Sequence, residues 1–141
     1  MKRIIAAYPI LILLLVASLQ LGAQTTHLDS VKSELQGAWR MNADTNMYLV
    51  FTADSVVHHM FRTSGTGRSK YEVTPAGCEP NLPPPGRTLY IVETYRYYQY
   101  KEPREGRLCS EIVRLKNGTL ILRRDKITET YTKLKAIPAP H

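Results

Sequence analysis

Hydrophobic and polar residues alternate along most of the chain after Trp39. Successive side chains of a β-strand point to opposite faces, so a period of two predicts strands with one buried and one exposed face. Turn-forming residues separate the alternating stretches, and together they define eight candidate strands: Ala38–Met41, Met47–Phe51, Ser55–Arg62, Lys70–Val73, Arg87–Tyr100, Leu108–Leu115, Thr119–Arg124 and Ile127–Leu134. Seven or eight short strands of this kind are typical of an antiparallel β-barrel or a β-sandwich.

The stretch before the strands has a helical period instead. Leu28, Val31 and Leu35 are three and four residues apart, and this spacing places them on one face of a helix. Gly37 follows, and glycine commonly ends helices. The pattern therefore predicts a short N-terminal helix over Leu28–Leu35.

The start of the chain has the layout of a cleavable secretory signal peptide. Two basic residues precede the apolar run Ile10–Ala17, and the small residues Gly22 and Ala23 follow it. A retained membrane anchor is the alternative, but the run is shorter than the roughly 20 apolar residues that a spanning helix needs. We expect a signal peptide at residues 1–23, no membrane span after its cleavage, and a secreted or periplasmic protein.

Size and charge narrow the picture further. Removing the 23-residue leader from the 141-residue chain leaves 118 residues, which suits one domain, 24–141. The net charge of +7 becomes +5 without Lys2 and Arg3, and the other basic residues are scattered from Lys32 to Lys135. Nucleic-acid-binding proteins concentrate positive charge on one face. The scatter therefore predicts a solvated surface and no nucleic-acid partner.

Two cysteines, Cys78 and Cys109, lie in the predicted domain. An even number of cysteines in an oxidising compartment usually forms disulfides, so we expect these two to be bonded. Metal binding is the alternative, but two thiols without suitably spaced histidines make a poor zinc site. A redox role would need a Cys-x-x-Cys motif, which the sequence lacks.

The clearest turn is Asn117-Gly118. This pair favours a two-residue hairpin turn in which both residues have positive φ. The predicted cross-strand pairs are Leu115 with Leu120, Val113 with Leu122, and Glu111 with Arg124, which puts four aliphatic side chains on one buried face. The letters Asn-Gly-Thr also match a glycosylation acceptor, and the hairpin turn is the preferred interpretation.

A second hairpin is predicted around Thr52-Ala53-Asp54 as a tight turn. Leu49 and Phe51 would share the inward face of its first strand. The inward residues of the returning strand would be Val57, His59 and Phe61. The stretches Thr63–Ser69 and Thr74–Gly86 are rich in turn residues and are predicted to be loops.

The end of the predicted helix and the last strand carry a family resemblance. Leu35–Arg40 (LQGAWR) follows the helix, and Thr130–Leu134 (TYTKL) closes the series of strands. This order resembles the lipocalin-like, or calycin, group of small bacterial secreted domains. In that group a Gly-x-Trp motif opens the first strand, and its tryptophan plugs one end of the barrel. Gly37 and Trp39 would take these structural roles here.

The resemblance implies an all-β fold, an antiparallel up-and-down β-barrel of about eight strands after a short N-terminal helix. It also implies a basic residue placed across Trp39, for which Arg123, Arg124 and Lys133 are candidates. Side chains can fill the interior of an eight-stranded barrel, or it can hold one small ligand.

Tyrosines crowd the fifth candidate strand, at positions 90, 95, 97, 98 and 100. A tyrosine combines an apolar ring with a polar tip and suits contact with amphipathic ligands or partner surfaces, although aromatic residues also simply favour strands. The predicted inward face of this strand carries Leu89, Ile91, Tyr95 and Tyr97. Glu93 between them indicates a bulge or the barrel mouth.

Other candidate chemistry is weak. His58 and His59 are adjacent on a strand, so they point to opposite faces and cannot hold one metal together. His59 is expected to form a hydrogen bond with Tyr or Glu inside the barrel. No Ser-His-Asp order is visible, and the glycine-containing segment 65–70 lacks the phosphate-loop spacing and is expected to be a flexible loop. The sequence predicts no metal site, no cofactor and no enzyme.

Two functions fit these features. The first is an extracytoplasmic lipocalin-like protein that binds a small hydrophobic or amphipathic ligand; the predicted contacts are Leu49, Phe51, Val57, His59, Phe61, Tyr95, Tyr97, Val113, Leu115, Leu120, Leu122 and Tyr131. The second is a filled barrel whose exposed tyrosines and arginines form an envelope or extracellular protein-interaction surface, with the partner unknown. A pocket of roughly 300 Å³ or more lined by these residues would favour the first, and a packed interior the second.

Overall fold

The computed structural model describes residues 27–60, 65–78, 88–99 and 101–136. The predicted signal peptide, residues 1–23, lies outside the described residues. Residues 27–35 form the helix α1, as predicted. The strands that follow are β1 (Gly37–Met41), β2 (Met47–Phe51), β3 (Ser55–Met60), β4 (Gly65–Thr74), β5 (Leu89–Gln99), β6 (Glu102–Lys116), β7 (Thr119–Arg124) and β8 (Ile127–Lys133).

The eight strands pair in sequence order, each antiparallel to the next, and β1 also pairs with β8. The sheet therefore closes into an up-and-down β-barrel, and the predicted fold class is confirmed. Closure pairs the two strands that would otherwise be the edges of the sheet. The interior holds a continuous apolar core made of Leu35, Trp39, Met41, Leu49, Phe51, Val56, Tyr71, Val73, Ile91, Leu120, Leu122 and Tyr131. No helix among the described residues is long and apolar enough to span a membrane.

Trp39 closes the barrel end next to α1. Its ring is fully buried, and its indole Nε1 donates a hydrogen bond of 2.6 Å to the Leu35 carbonyl oxygen. The Lys133 ammonium lies 5.0 Å from the centre of the indole ring and donates to the Glu34 carbonyl oxygen at 2.6 Å. Lys133 is thus the basic residue across the tryptophan. Both donors bind backbone carbonyls of the last turn of α1. Those carbonyls have no hydrogen-bond partners within the helix.

The hairpin between β6 and β7 confirms the predicted turn and corrects the predicted register. Asn117 and Gly118 have φ values of 53° and 69°, and Leu115 pairs with Leu120. A β-bulge between Ile112 and Arg114 then shifts the pairing by one residue. The pairs beyond it are Ile112 with Leu122 and Glu111 with Arg123, in place of the predicted Val113 with Leu122 and Glu111 with Arg124.

The bulge changes the environment of Val113. An extra residue in one strand of an antiparallel pair moves the residues beyond it to the opposite face. Val113 is 47% exposed, whereas Ile112 packs against the core. The prediction that Val113 lines the interior is therefore wrong.

The hairpin between β2 and β3 also differs from the prediction by one residue. Phe51 pairs with Val56 and Leu49 pairs with His58, so Val56 and His58 share the inner face. The predicted inward residues Val57 and His59 belong to the outer face. The prediction assumed three turn residues, but the Thr52 amide donates to the Ser55 carbonyl at 2.8 Å, so the turn itself has two. A register slip of one residue exchanges the two faces of a strand. The third predicted residue, Phe61, lies outside the described residues.

Two strands are longer than their patterns predicted. Residues 65–69, expected to be a loop, extend β4 and pair with β3, for example Gly67 with His58. β6 begins at Glu102 and pairs with β5 as far as Gln99. Lys101, just before β6, has a φ of 69°.

The β5–β6 hairpin continues beyond the points where its strands pair with β4 and β7. Among the described residues, β5 pairs with β4 only as far as Thr94, and β6 pairs with β7 only from Glu111 onward. We call residues 95–99 and 101–106 the arm. The Tyr95 ring lies over Gly106, so a Cβ atom at that position would force the ring to move.

The predicted disulfide between Cys78 and Cys109 is confirmed. Cys78 follows β4, and Cys109 lies in β6 opposite Val92. The bond therefore ties the segment after β4 to β6, close to the base of the arm.

Candidate functional site

Several polar side chains lie close together inside the barrel, on the side of the apolar core away from α1. We call His58, Glu93, Ser110, Arg124, Glu129 and Tyr131 the polar cluster. His58 lies near the end of β3, Arg124 ends β7 and Glu129 lies near the start of β8, which places them toward the end of the barrel away from α1. The strand directions alternate, so side chains distant in sequence meet at this end.

Glu93 is the most deeply buried charged group of the cluster. Its residue is 3% exposed, and its carboxylate Oε2 lies 2.6 Å from His58 Nε2. A carboxylate without a partner in such an environment is strongly disfavoured. The register across Glu93 is regular, with Ile91 opposite Ser110 and Glu93 opposite Leu108. Of the two predicted alternatives at Glu93, a bulge or the barrel mouth, the bulge is therefore wrong. The sequence predicted His59 inside the barrel with a hydrogen bond to Tyr or Glu. In the structure, the histidine on the inner face is His58, and it contacts Glu93.

The other members of the polar cluster are also paired. Arg124 donates from Nε and Nη2 to the Ser110 hydroxyl at 3.2 and 3.1 Å, and the Tyr131 hydroxyl donates to Glu129 Oε2 at 2.8 Å. Among the described residues, no buried side-chain nitrogen or oxygen lacks a hydrogen-bond partner. The fully buried polar atoms of the cluster therefore have hydrogen-bond partners within the protein.

A small pocket opens at this end of the barrel. Its volume is about 70 Å³, far below the roughly 300 Å³ of small-molecule sites. Its lining mixes apolar and polar residues: Met41, Met47, Tyr48, Leu49, His58, His59, Arg124, Glu129 and Tyr131. The space holds a few non-hydrogen atoms and borders the core residues Met41, Leu49 and Tyr131.

The residues predicted to contact a ligand are divided among several environments. Leu49, Phe51, Leu120, Leu122 and Tyr131 are buried in the core, and Leu115 packs against it. Val57 is on the outer face, and Val113 and Tyr97 are exposed. His59 reaches the rim of the small pocket, and Tyr95 lies over Gly106 in the arm. Ligand contact by any of these residues stays a prediction.

Replacing His58 tests the buried pair. We expect His58→Leu to lower the free energy of unfolding by about 2 kcal/mol, because the Glu93 carboxylate would stay buried without its partner. Urea unfolding of the oxidised protein measures the change. The control is His58→Leu combined with Glu93→Leu, which removes both polar groups and should recover most of the loss. A double variant no more stable than the single one would contradict this account.

Two buried tyrosines predict sensitivity to alkali. Burial raises the pKa of Tyr71, with a smaller contribution from the Asp54 carboxylate. Burial also raises the pKa of Tyr131, and the hydrogen bond to Glu129 adds to the effect. The folded protein therefore holds these protons more tightly than the unfolded chain, in which the phenol pKa is about 10.

The fold keeps the benefit of both protonated phenols below about pH 10 and loses it as the pH rises further. We expect the free energy of unfolding to fall above that pH, and Tyr71 and Tyr131 to ionise only together with unfolding. The absorbance of ionised tyrosine, followed alongside circular dichroism, measures both events. Tyr131→Phe should remove one late-ionising phenol. Complete ionisation of the native protein before any unfolding would refute the prediction.

A larger groove lies on the outer surface at the base of the arm. Its volume is about 520 Å³, and it is lined by Asp54, Ser55, Arg68, Lys70, Thr94, Tyr95, Arg96 and Glu105. Arg68 and Lys70 come from β4, and Arg96 and Glu105 come from the arm. Arg96 Nε lies 3.8 Å from Glu105 Oε1, and both side chains are largely exposed. An ion pair this long and exposed contributes little stability. Because its side chain is largely exposed, the Arg96 guanidinium is accessible.

Aromatic surface continues from the groove onto the arm. The Tyr95 and Tyr97 rings lie 5.9 Å apart between centroids, and Tyr97 is 41% exposed. A second pocket, of about 330 Å³, lies on the β7 side of the hairpin and includes the disulfide, Tyr90, Arg107 and Arg123. Arginine and tyrosine are enriched at protein interfaces, so the surfaces around the hairpin have the composition of a binding region.

The sequence indicated some of these features and missed others. The tyrosines of β5 were recognised as candidates, and the position of Glu93 in an apolar strand was noted. The groove was missed because residues 65–69 were assigned to a loop. A usable indication was present, since the pair Arg68 and Lys70 has strand spacing.

Fold and site together define the class of this protein as a closed, eight-stranded antiparallel β-barrel with a continuous apolar core, compatible with a lipocalin-like fold. Comparisons with known family models, curated proteins and solved structures found no match.

Proposed function

We propose that this protein is an extracytoplasmic interaction module that binds a partner protein through the arm and the groove at its base. The observation that carries the proposal is the combination of a closed barrel with a continuous apolar core and a hairpin that extends beyond its pairing with β4 and β7 and bears exposed tyrosine and arginine side chains. The proposed activity is binding without chemistry.

The apolar core supports this function because it gives the arm a rigid base. Ile91 and Val92 of β5 are almost completely buried just before the arm begins, and Glu93 is fixed by His58. The Cys78–Cys109 bond fixes β6 from the other side. Surfaces held on rigid elements bind with a smaller loss of conformational entropy.

An extracytoplasmic location is part of the proposal. It rests on the leader-like residues 1–23 and on the disulfide, which persists in oxidising compartments such as the periplasm or the extracellular space.

A photo-crosslinker at position 97 tests the proposed surface. We expect Tyr97→benzoylphenylalanine, expressed in the source organism, to give one defined crosslinked product. The matched control is Ile127→benzoylphenylalanine, because Ile127 is 64% exposed but lies in the β7–β8 hairpin. The same product from both positions, or none from position 97, would reject the arm as the binding surface.

Binding of a small ligand at the barrel mouth is the second candidate. The pocket of about 70 Å³ beside Arg124, His58 and Tyr131 favours it, and the polar lining favours a small polar ligand over an apolar one. Native mass spectrometry of the protein isolated from its own source distinguishes the two functions. We expect the mass of the bare mature chain, whereas a retained small molecule would favour ligand binding.

A further inference from the structure

β4 and β5 separate at the base of the arm although both continue as strands. Their pairing runs from Thr74 opposite Tyr90 to Lys70 opposite Thr94, and among the described residues it stops there. We call the space between residues 65–69 of β4 and 95–99 of β5 the fork. Continued pairing in the same register would place Arg68 directly opposite Arg96. Like charges in that position are destabilising, which gives a physical reason for the separation.

Among the described residues, the fork leaves backbone groups of β4 without a strand partner. Tyr71 N–H donates to the Asp54 carbonyl at 3.1 Å, on the β3 side. Backbone N–H groups of a strand point alternately to its two sides, so those of Thr66 and Arg68 point into the fork. No described strand pairs with residues 65–69 on that side. Such an edge can accept a further strand.

The charges around the fork determine which side chains an added strand needs. Arg68, Lys70 and Arg96 line the groove, whereas its two acidic residues, Asp54 and Glu105, come from the β2–β3 turn and the far strand of the arm. A basic segment would add to the repulsion between Arg68 and Arg96. A carboxylate between them would neutralise it, and arginine binds carboxylates with charge-assisted hydrogen bonds.

We infer that the fork binds an extended acidic segment of the partner protein, which adds to β4 as a strand. Its backbone pairs with Thr66 and Arg68, and carboxylates on alternate residues face Arg68, Lys70 and Arg96. Strand addition of this kind takes its affinity from backbone hydrogen bonds and its specificity from alternate side chains. This inference rests on the proposed interaction function and names the chemical class of the partner.

A labelled model peptide tests the inference. The probe is a fluorescein-tagged peptide with the repeating sequence Glu-Val-Glu-Thr-Glu, compared with a peptide that has Gln for Glu and with a backbone-N-methylated copy of the acidic peptide. Fluorescence anisotropy measures affinity, and amide hydrogen exchange by NMR locates the contact. We expect only the unmethylated acidic peptide to bind well. It should slow exchange at Thr66 and Arg68 far more than at Gly67 and Ser69, whose amides face β3.

Charge reversal locates the binding on the surface. We expect Arg68→Glu to weaken binding of the acidic peptide at least about tenfold. The matched control is Arg114→Glu, since Arg114 is an exposed strand arginine in β6 that does not line the groove. It makes the same change in net charge and should leave affinity within about twofold. Circular dichroism verifies that both variants fold.

Several results would overturn the inference. They are failure of the acidic peptide to bind, equal binding of the N-methylated copy, and equal weakening by both charge reversals. The last two would indicate a general anion contact without strand addition. If the peptide fails while the crosslink from position 97 persists, the acidic-strand inference is wrong and the arm function stands. If both fail, the proposed function is wrong as well.

Discussion

Trp39→Ala is expected to lower the free energy of unfolding by about 4 kcal/mol. The indole is fully buried at the barrel end beside α1, where its N–H binds the Leu35 carbonyl and its face lies under the Lys133 ammonium. Alanine would leave a cavity in the core and a helix carbonyl without its donor. Because domains of this size are stable by roughly 5 to 15 kcal/mol, the variant should lie near the limit of folding.

Urea unfolding followed by circular dichroism measures this loss. The matched control is Trp39→Phe, which fills most of the volume but cannot donate to Leu35, and we expect it to lose about 2 kcal/mol. The difference between the variants separates packing from the hydrogen bond. A loss below about 1 kcal/mol for Trp39→Ala would show that the indole does not support the barrel, since that is less than a typical core truncation.

The barrel itself was predictable because alternation and turn chemistry act locally. The Asn117-Gly118 pair determined both its turn and the pairing of Leu115 with Leu120. The predicted strand registers are wrong where a strand or a turn has one residue more or one fewer than expected. The bulge near Val113 and the two-residue turn at Ala53-Asp54 each exchange the faces of a strand, and composition does not reveal either event.

The candidate surfaces were less predictable because they depend on which strands meet. Gly65 and Gly67 favour a loop locally, but pairing with β3 keeps the segment extended. Glu93 needed a buried partner, and only the three-dimensional register shows that His58 supplies it. The fork likewise depends on how far β4 and β5 pair, and continued pairing would bring together Arg68 and Arg96, which are 28 positions apart in the sequence.

Loss of the Cys78–Cys109 disulfide is expected to lower the free energy of unfolding by about 3 to 4 kcal/mol. The two cysteines are separated by 31 positions, and in the chain-entropy model a bond across such a loop restricts the unfolded chain by this amount. Urea unfolding with and without a thiol reductant measures the change.

The control for this experiment is Cys78→Ala combined with Cys109→Ala. The double variant should match the reduced protein in stability and should not respond to reductant. A wild-type protein that is equally stable when reduced would refute the prediction. The expected loss is a large part of the free energy of unfolding of an ordinary domain. We therefore expect the domain to be stably folded only where the disulfide persists. That requirement ties the rigid base of the arm to an oxidising compartment, the setting in which we propose that the protein meets its partner.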